Sequence, residues 1–323
     1  GWWVEAVLPP VVARARVCLP ALGTRAGERL LWLGAERDGE ALTIDWDAEG
    51  CFEAPPFAEH LRVRYGVFVA RRSWPAWRVL SLSPKGDDEQ LVFPGESLFL
   101  ELPERSRDPL SSAIIIRGEG NLVSTLGVGN EQHAANNDEL LRSLWWLSPS
   151  LLVHELGTVR LAASAKFGAD AERALNQAAC LDAQLEGWVD GPELAARIVM
   201  QLDAGWDRSA REGFARAEGV VLQVGVDTAA DGSSMALLLA HELFHGYNGH
   251  LLRYTEAEHD ATEWFREGAT SYVAMIAASQ AGLLSEARLL EQLVEHAMGA
   301  NAPAKAEGSV FELQRTRRGY DRG

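Results

Sequence analysis

The sequence predicts an α+β protein, with a β-sandwich-like domain over residues 1–155 and a mainly helical domain with a small sheet over residues 156–323. Three observations predict it. Short apolar or alternating runs recur between turn signals throughout the first half. From about Thr158 the pattern changes to Ala-rich stretches with helical periodicity. An unbroken apolar run, residues 235–240, then leads into His241-Glu242-Leu243-Phe244-His245, which suits a buried helix.

In the first half, residues 30–33, 61–69, 79–82, 97–102 and 112–116 have the length and the Leu, Val, Ile and Phe content of strands. Residues 84–87, Pro94-Gly95 and residues 118–121 carry the Pro and Gly that mark turns between them. Gly127 and Gly129 flank Val128 without a phosphate-loop context and predict one more turn. In the second half, residues 159–162, 196–202 and 219–225 are further strands, and residues 169–185 form an Ala-rich helix. Ser233 and Ser234 are candidate N-caps of the helix that carries the His-Glu pair. A second helix begins near Thr262 with acidic residues in its first turn, which favour the positive end of the helix dipole. Residues 281–298 form a last helix whose stripe of Leu283, Leu284, Leu289, Leu290 and Leu293 faces a core.

The length of 323 residues suits two domains. The formal charge of −16 argues against nucleic acid and anionic membrane surfaces as partners, and no apolar stretch is long enough to span a bilayer. Cys18, Cys51 and Cys180 are odd in number, so a full disulfide framework is excluded; Cys18 and Cys51 either pair or are buried thiols. Residues 1–5 lack the pattern of an intact signal peptide. The compartment stays open: cytoplasmic, or periplasmic or secreted after removal of a leader. The eleven tryptophans have no recurrent spacing, which favours core packing over a stacking surface for sugars.

His241 and His245 are four residues apart and share one helix face, so both imidazoles can reach one metal ion. Glu242, one position along, can take a proton from a water activated by that metal. A catalytic zinc has three protein ligands and an open position. The metzincin spacing fails, because Asn248 and Leu251 stand where Gly and His are required, and His250 is one position off. Glu267 on the second helix is the best third ligand. Glu263, a turn earlier, is its rival, and its other reading is a solvated first-turn acid.

Two blocks, His241-Glu242-Leu243-Phe244-His245-Gly246-Tyr247-Asn248 and Trp264-Phe265-Arg266-Glu267-Gly268-Ala269-Thr270-Ser271-Tyr272, resemble the gluzincin metallopeptidases, most nearly the glycyl aminopeptidase family and more distantly the aminopeptidase N family. Tyr247 stands where that family usually has Trp. The resemblance implies a thermolysin-like catalytic domain, one Zn2+ ion on His241, His245 and Glu267, Glu242 as general base, and peptide or protein substrates. It also implies that Tyr320, in the closing Tyr-Asp-Arg-Gly, stabilises the oxyanion. Asn248 and Ser271 are candidates for orienting ligands. A sheet edge before the motif helix would pair with extended peptide; residues 220–224 take that role if they form the edge, and none if they are internal. Residues 226–234 lack the Gly-rich segment with a Glu-His pair usual in the family. Family members continue past the tyrosine block, so a catalytic domain truncated at its C-terminal end is expected. The rival function is a peptide-binding scaffold that does not cleave.

Overall fold

The computed structural model describes the backbone of residues 2–8, 14–18, 30–56, 61–67, 85–86, 91–109, 114–115, 121–188, 197–203, 208–216, 219–251 and 256–301. Side chains are described within those ranges except at 2–4, 30–33, 67, 85–86, 91, 114–115, 197, 203, 216, 249–251, 256–264 and 296–301. Helix and sheet are both abundant, as an α+β protein requires. The chain divides into two compact units, Gly1–Leu151 and Leu152–Gly323.

Among the described residues, most of the regular structure of the first unit is strand, with one short helix at Asn137–Arg142. One antiparallel sheet joins Trp2–Leu8, Leu61–Val67, Leu30–Arg37 and Glu40–Leu42, in that order. A second orders Gly127–Val128, Asn121–Ser124, Leu144–Ser148, Leu91–Pro94 and Lys85–Gly86. Val63 and Tyr65 of the first sheet and Phe93, Leu122 and Trp145 of the second belong to one buried cluster. Trp145 and Trp146 are fully buried, and Trp145 stacks on Phe93 with centroids 6.0 Å apart. Both therefore serve packing. Trp74 and Trp77 lie outside the described residues, as does the strand expected at 79–82.

Cys18 and Cys51 face each other across the antiparallel pair Ala15–Cys18 and Cys51–Ala54 and form a disulfide. Cys180 is a free, exposed thiol. Residues 97–102 do not form the expected strand. A 3-10 turn at Gly95–Ser97 is followed by irregular chain, with only a single bridge between Glu101 and Cys18. Here Ser97 Oγ donates to the Pro94 carbonyl, and Gly95 sits so close to the Leu140 carbonyl that a side chain would collide with it. Gly127 and Val128 are not only a turn; they pair back onto Val123 and Ser124 as a short strand.

The second unit holds a five-stranded mixed sheet in the order Leu151–Leu156, Val159–Ser164, Arg197–Asp203, Gly219–Val224 and Arg211–Arg216. The helix Ala169–Glu186 crosses over between two parallel strands. Every residue of Gly219–Val224 is buried, as its run of Val and Leu requires for a strand with neighbours on both sides. It pairs parallel with Arg197–Asp203 and antiparallel with Arg211–Arg216. Residues 220–224 are therefore internal, and among the described residues Arg211–Arg216 is an edge strand. The sequence hid that edge strand because Arg211, Glu212 and Arg216 dilute its apolar content.

The motif helix runs Gly232–Leu251. Its start is fixed by Asp231, which accepts from the Ser233 backbone N–H at 3.1 Å and from the hydroxyls of Ser233 and Ser234 at 2.9 and 2.6 Å. Asp231 is thus the cap, and the two serines are helical residues that donate to it. Such a cap contributes about 1 kcal/mol. Met235, Leu239, Ala240 and Leu243 bury one face in the core shared with Leu222, Val224, Leu181 and Ala278. Truncating Leu239 or Leu243 to Ala would cost about 2–5 kcal/mol by leaving a cavity. The helix Glu256–Gln280 packs against it, and Glu286–Asn301 follows. Residues 281–285 are not helical, because Gly282 takes a left-handed φ of 71° that ends the preceding helix.

Candidate metal centre

The face of the motif helix opposite its buried stripe carries His241 and His245. Their ring planes meet nearly edge to face, and their Nε2 atoms are 3.0 Å apart. The neighbouring helix brings Glu267 Oε2 to 3.3 Å from His241 Nε2 and 3.2 Å from His245 Nε2. Among the described residues these three make a donor cluster able to hold a metal ion. The spacing fits such an ion: tetrahedral ligands at zinc bond lengths lie about 3.4 Å from one another. Two imidazoles and one carboxylate are also a donor set that zinc accepts. The other acidic cluster, Asp47, Glu49 and Cys51, is not equivalent. Cys51 is in the disulfide, and Asp47 accepts from the Cys51 and Glu49 backbone N–H groups and pairs with Arg16.

Burial raises the Glu267 carboxyl, but hydrogen bonds and charge from both histidines outweigh it and hold the group well below the usual carboxylate range. The Arg266 guanidinium lies 3.7 Å from Glu267 Oε1, the oxygen not turned to the histidines. Glu242 is only 6% exposed. Burial pushes its carboxyl up to about 7; the nearby His241 lowers it and the Glu267 charge raises it further. It is thus a carboxyl poised near neutral pH beside the donor cluster.

A stability effect follows from that burial. Glu242 titrates near 4.5 when unfolded and near 7 when folded. The folded state retains the proton longer, so stability falls as pH rises from 4.5 towards 7. With metal chelated, Glu242→Gln is expected to melt at a higher temperature than the parent at pH 8, with the difference shrinking towards pH 4.5. Thermal melts at the two pH values check this; an equal difference at both would refute it.

Outside the donor atoms, Ser271 Oγ lies 3.3 Å from His241 Nδ1, one turn along the helix from Glu267. Asn248 does not reach a histidine ring; its Nδ2 donates to Thr270 Oγ1 at 3.3 Å, and both groups are buried. Asn248 therefore fastens the two helices to each other. Tyr247 donates to Asp182 Oδ1 at 3.2 Å, and Thr158 donates to Asp182 Oδ2 at 3.1 Å. This network ties the motif helix to Ala169–Glu186, and only the unusual Tyr at position 247 hinted at it. The side chains of Glu263 and His250 and all of Tyr320 lie outside the described residues.

Beside the motif helix runs the edge strand Arg211–Arg216. A polar cavity of about 610 Å³ opens next to it, lined by Arg211 and Glu212 of the strand, Asp227 and Asp231, and Ser234 of the motif helix. Ser234 lies seven residues before His241, on the same helix face.

Comparison with known proteins adds to this geometry. Residues 234–315, which contain all three donors, match the model of the M61 glycyl aminopeptidase family. No curated protein matches the chain. Among solved structures it is similar to an aminopeptidase N family protein from Idiomarina loihiensis, with a TM-score of 0.67 and 16% identity over 93% of this chain and 55% of that one. It is also similar to native leukotriene A4 hydrolase from Saccharomyces cerevisiae, with a TM-score of 0.54 and 13% identity over 90% of this chain and 46% of that one. The chain thus spans about half the length of these structures, and at such identities the likeness is one of fold. No described helix is long and apolar enough to cross a membrane. The family match across the motif helices and the shared fold together support the resemblance that the motifs carry, to the gluzincin, aminopeptidase-like peptidases.

Proposed function

We propose that this protein is a zinc-dependent peptidase, aminopeptidase-like in its choice of substrate. The observation that carries the reading is the convergence of His241 Nε2, His245 Nε2 and Glu267 Oε2 within 3.3 Å of one another, beside a buried carboxyl. Those three residues hold one Zn2+ ion, and Glu242 is the general base. When bound, the ion polarises the scissile carbonyl and makes water a nucleophile near neutral pH. Glu242 takes the proton of the attacking water and delivers it to the leaving amine. Its raised pKa suits both transfers, since a group that titrates near the working pH gains and loses a proton readily. Tyr320 is proposed as the oxyanion donor on the resemblance alone. Substrate peptide pairs with the exposed side of Arg211–Arg216, which takes the role that residues 220–224 would have had at an edge.

Ser271 orients the His241 ring through Nδ1. Ser271→Ala is therefore expected to weaken zinc binding about 10-fold, measured by competition with a chromogenic chelator; unchanged affinity would remove Ser271 from the site.

A peptide-library digest by the zinc-loaded protein tests the whole reading. Cleavage one residue from the amino terminus supports an aminopeptidase, and internal cuts make it an endopeptidase. Binding without any cleavage at one zinc per chain would favour the non-catalytic scaffold.

A further inference from the structure

A methyl group at position 213 would occupy the space of the Glu242 side chain. An ideal Cβ built on Gly213 comes within 2.3 Å of Glu242 Cγ, Cδ and Oε1. Gly213 is the third residue of the edge strand, paired opposite the buried Leu222. Ala215, two residues on and therefore on the same strand face, is also small and packs against the core that includes the motif helix. That face of the strand thus lets the helix come close, and at Gly213 the neighbour is the carboxylate itself. Gly213 has no positive φ, so backbone freedom does not explain the glycine. The missing side chain does: it leaves a recess against the edge-strand backbone into which Glu242 fits. Glu242 has a long, flexible side chain, and one wall of its buried position is this strand.

We infer that Gly213 is the positioning residue of the base, setting where the Glu242 carboxylate stands. The inference rests on Glu242 acting as base. It extends that reading to a residue that neither touches the metal donors nor carries any chemistry of its own. Any side chain at 213 must displace the Glu242 carboxylate, because the strand backbone is fixed by its pairing with Gly219–Val224. A misplacement of about 1 Å at a reacting group costs on the order of 100-fold in rate.

The test uses the zinc-loaded full chain and Gly213→Ala. The expected result is kcat lowered about 100-fold with KM within about threefold, one zinc per chain, and a crystal structure in which the Glu242 carboxyl has moved. Glu242→Ala removes all three of the atoms that the methyl would meet, and with them the base. The double variant Gly213→Ala/Glu242→Ala is therefore expected to lose no more activity than Glu242→Ala alone, a result that general damage to the fold would not produce. Unchanged kcat in Gly213→Ala, strictly multiplicative losses, or a Glu242 carboxyl in its parental position overturns the inference. If Gly213→Ala does not fold, the double variant must; should it fail too, the strand rejects side chains for another reason and the inference falls. If the parent binds zinc but hydrolyses no peptide, the peptidase reading fails, and the crystal structure of Gly213→Ala then decides the positioning role alone.

Discussion

Glu242→Gln is expected to lower peptide hydrolysis about 1000-fold while one zinc stays bound. The exchange preserves shape and removes only the ability to accept a proton. Glu242 is not one of the three clustered donors, so the cluster of His241, His245 and Glu267 should survive it. The side chain is buried, so solvent water cannot readily replace its function from the same position. Hydrolysis measured alongside metal content separates the two effects. Parental turnover with zinc retained would show that Glu242 is not the base. Loss of zinc together with activity would show instead that the carboxylate helps to hold the ion.

Glu267→Ala is expected to have the larger effect on the metal. The two imidazoles left behind come from a single helical turn, and zinc requires a third protein ligand to hold it with one position open. Zinc affinity should fall by more than about 100-fold, beyond the effect of losing an outer hydrogen-bond partner. Peptide hydrolysis should vanish at any zinc concentration that the parent needs for full activity. Glu267→Gln, which keeps an oxygen in place without its charge, should fall between the two. Metal titration of all three proteins checks the order; an Ala variant with parental affinity would hand the third place to another acid, and Glu263 would be the first to test. The low titration of Glu267 agrees in direction, since a carboxylate kept ionised by two imidazoles is also ready to bind a cation.

Much of the second unit was legible in the chain. Residues 159–162, 196–202 and 219–225 are apolar runs bounded by polar residues, and strands form at Val159–Ser164, Arg197–Asp203 and Gly219–Val224. The helix Ala169–Glu186 follows from its Ala-rich periodicity. The His-Glu helix is legible because four-residue spacing and a long apolar run are both local properties. Three features were not. The edge strand Arg211–Arg216 has a composition that suits a loop; it is a strand because Gly219–Val224 offers it a row of backbone partners. Residues 97–102 have the composition of a strand, but a 3-10 turn and contact with Leu140 take the chain elsewhere. Asp231 displaces Ser233 and Ser234 as the cap because the helix starts one residue before them, a shift too small for sequence pattern to resolve.

The sequence by itself determined the alternation of strand and helix, the pair of imidazoles on one helix face, and the acidic helix that follows. These depend on spacing within one segment, which the periodicity of that segment sets. Only the tertiary structure decided that Glu267 Oε2 meets both imidazoles, that residues 220–224 are buried inside the sheet, and that Gly213 backs Glu242. Each of these is a meeting of segments tens of residues apart, fixed by which faces the core buries and not by any local preference.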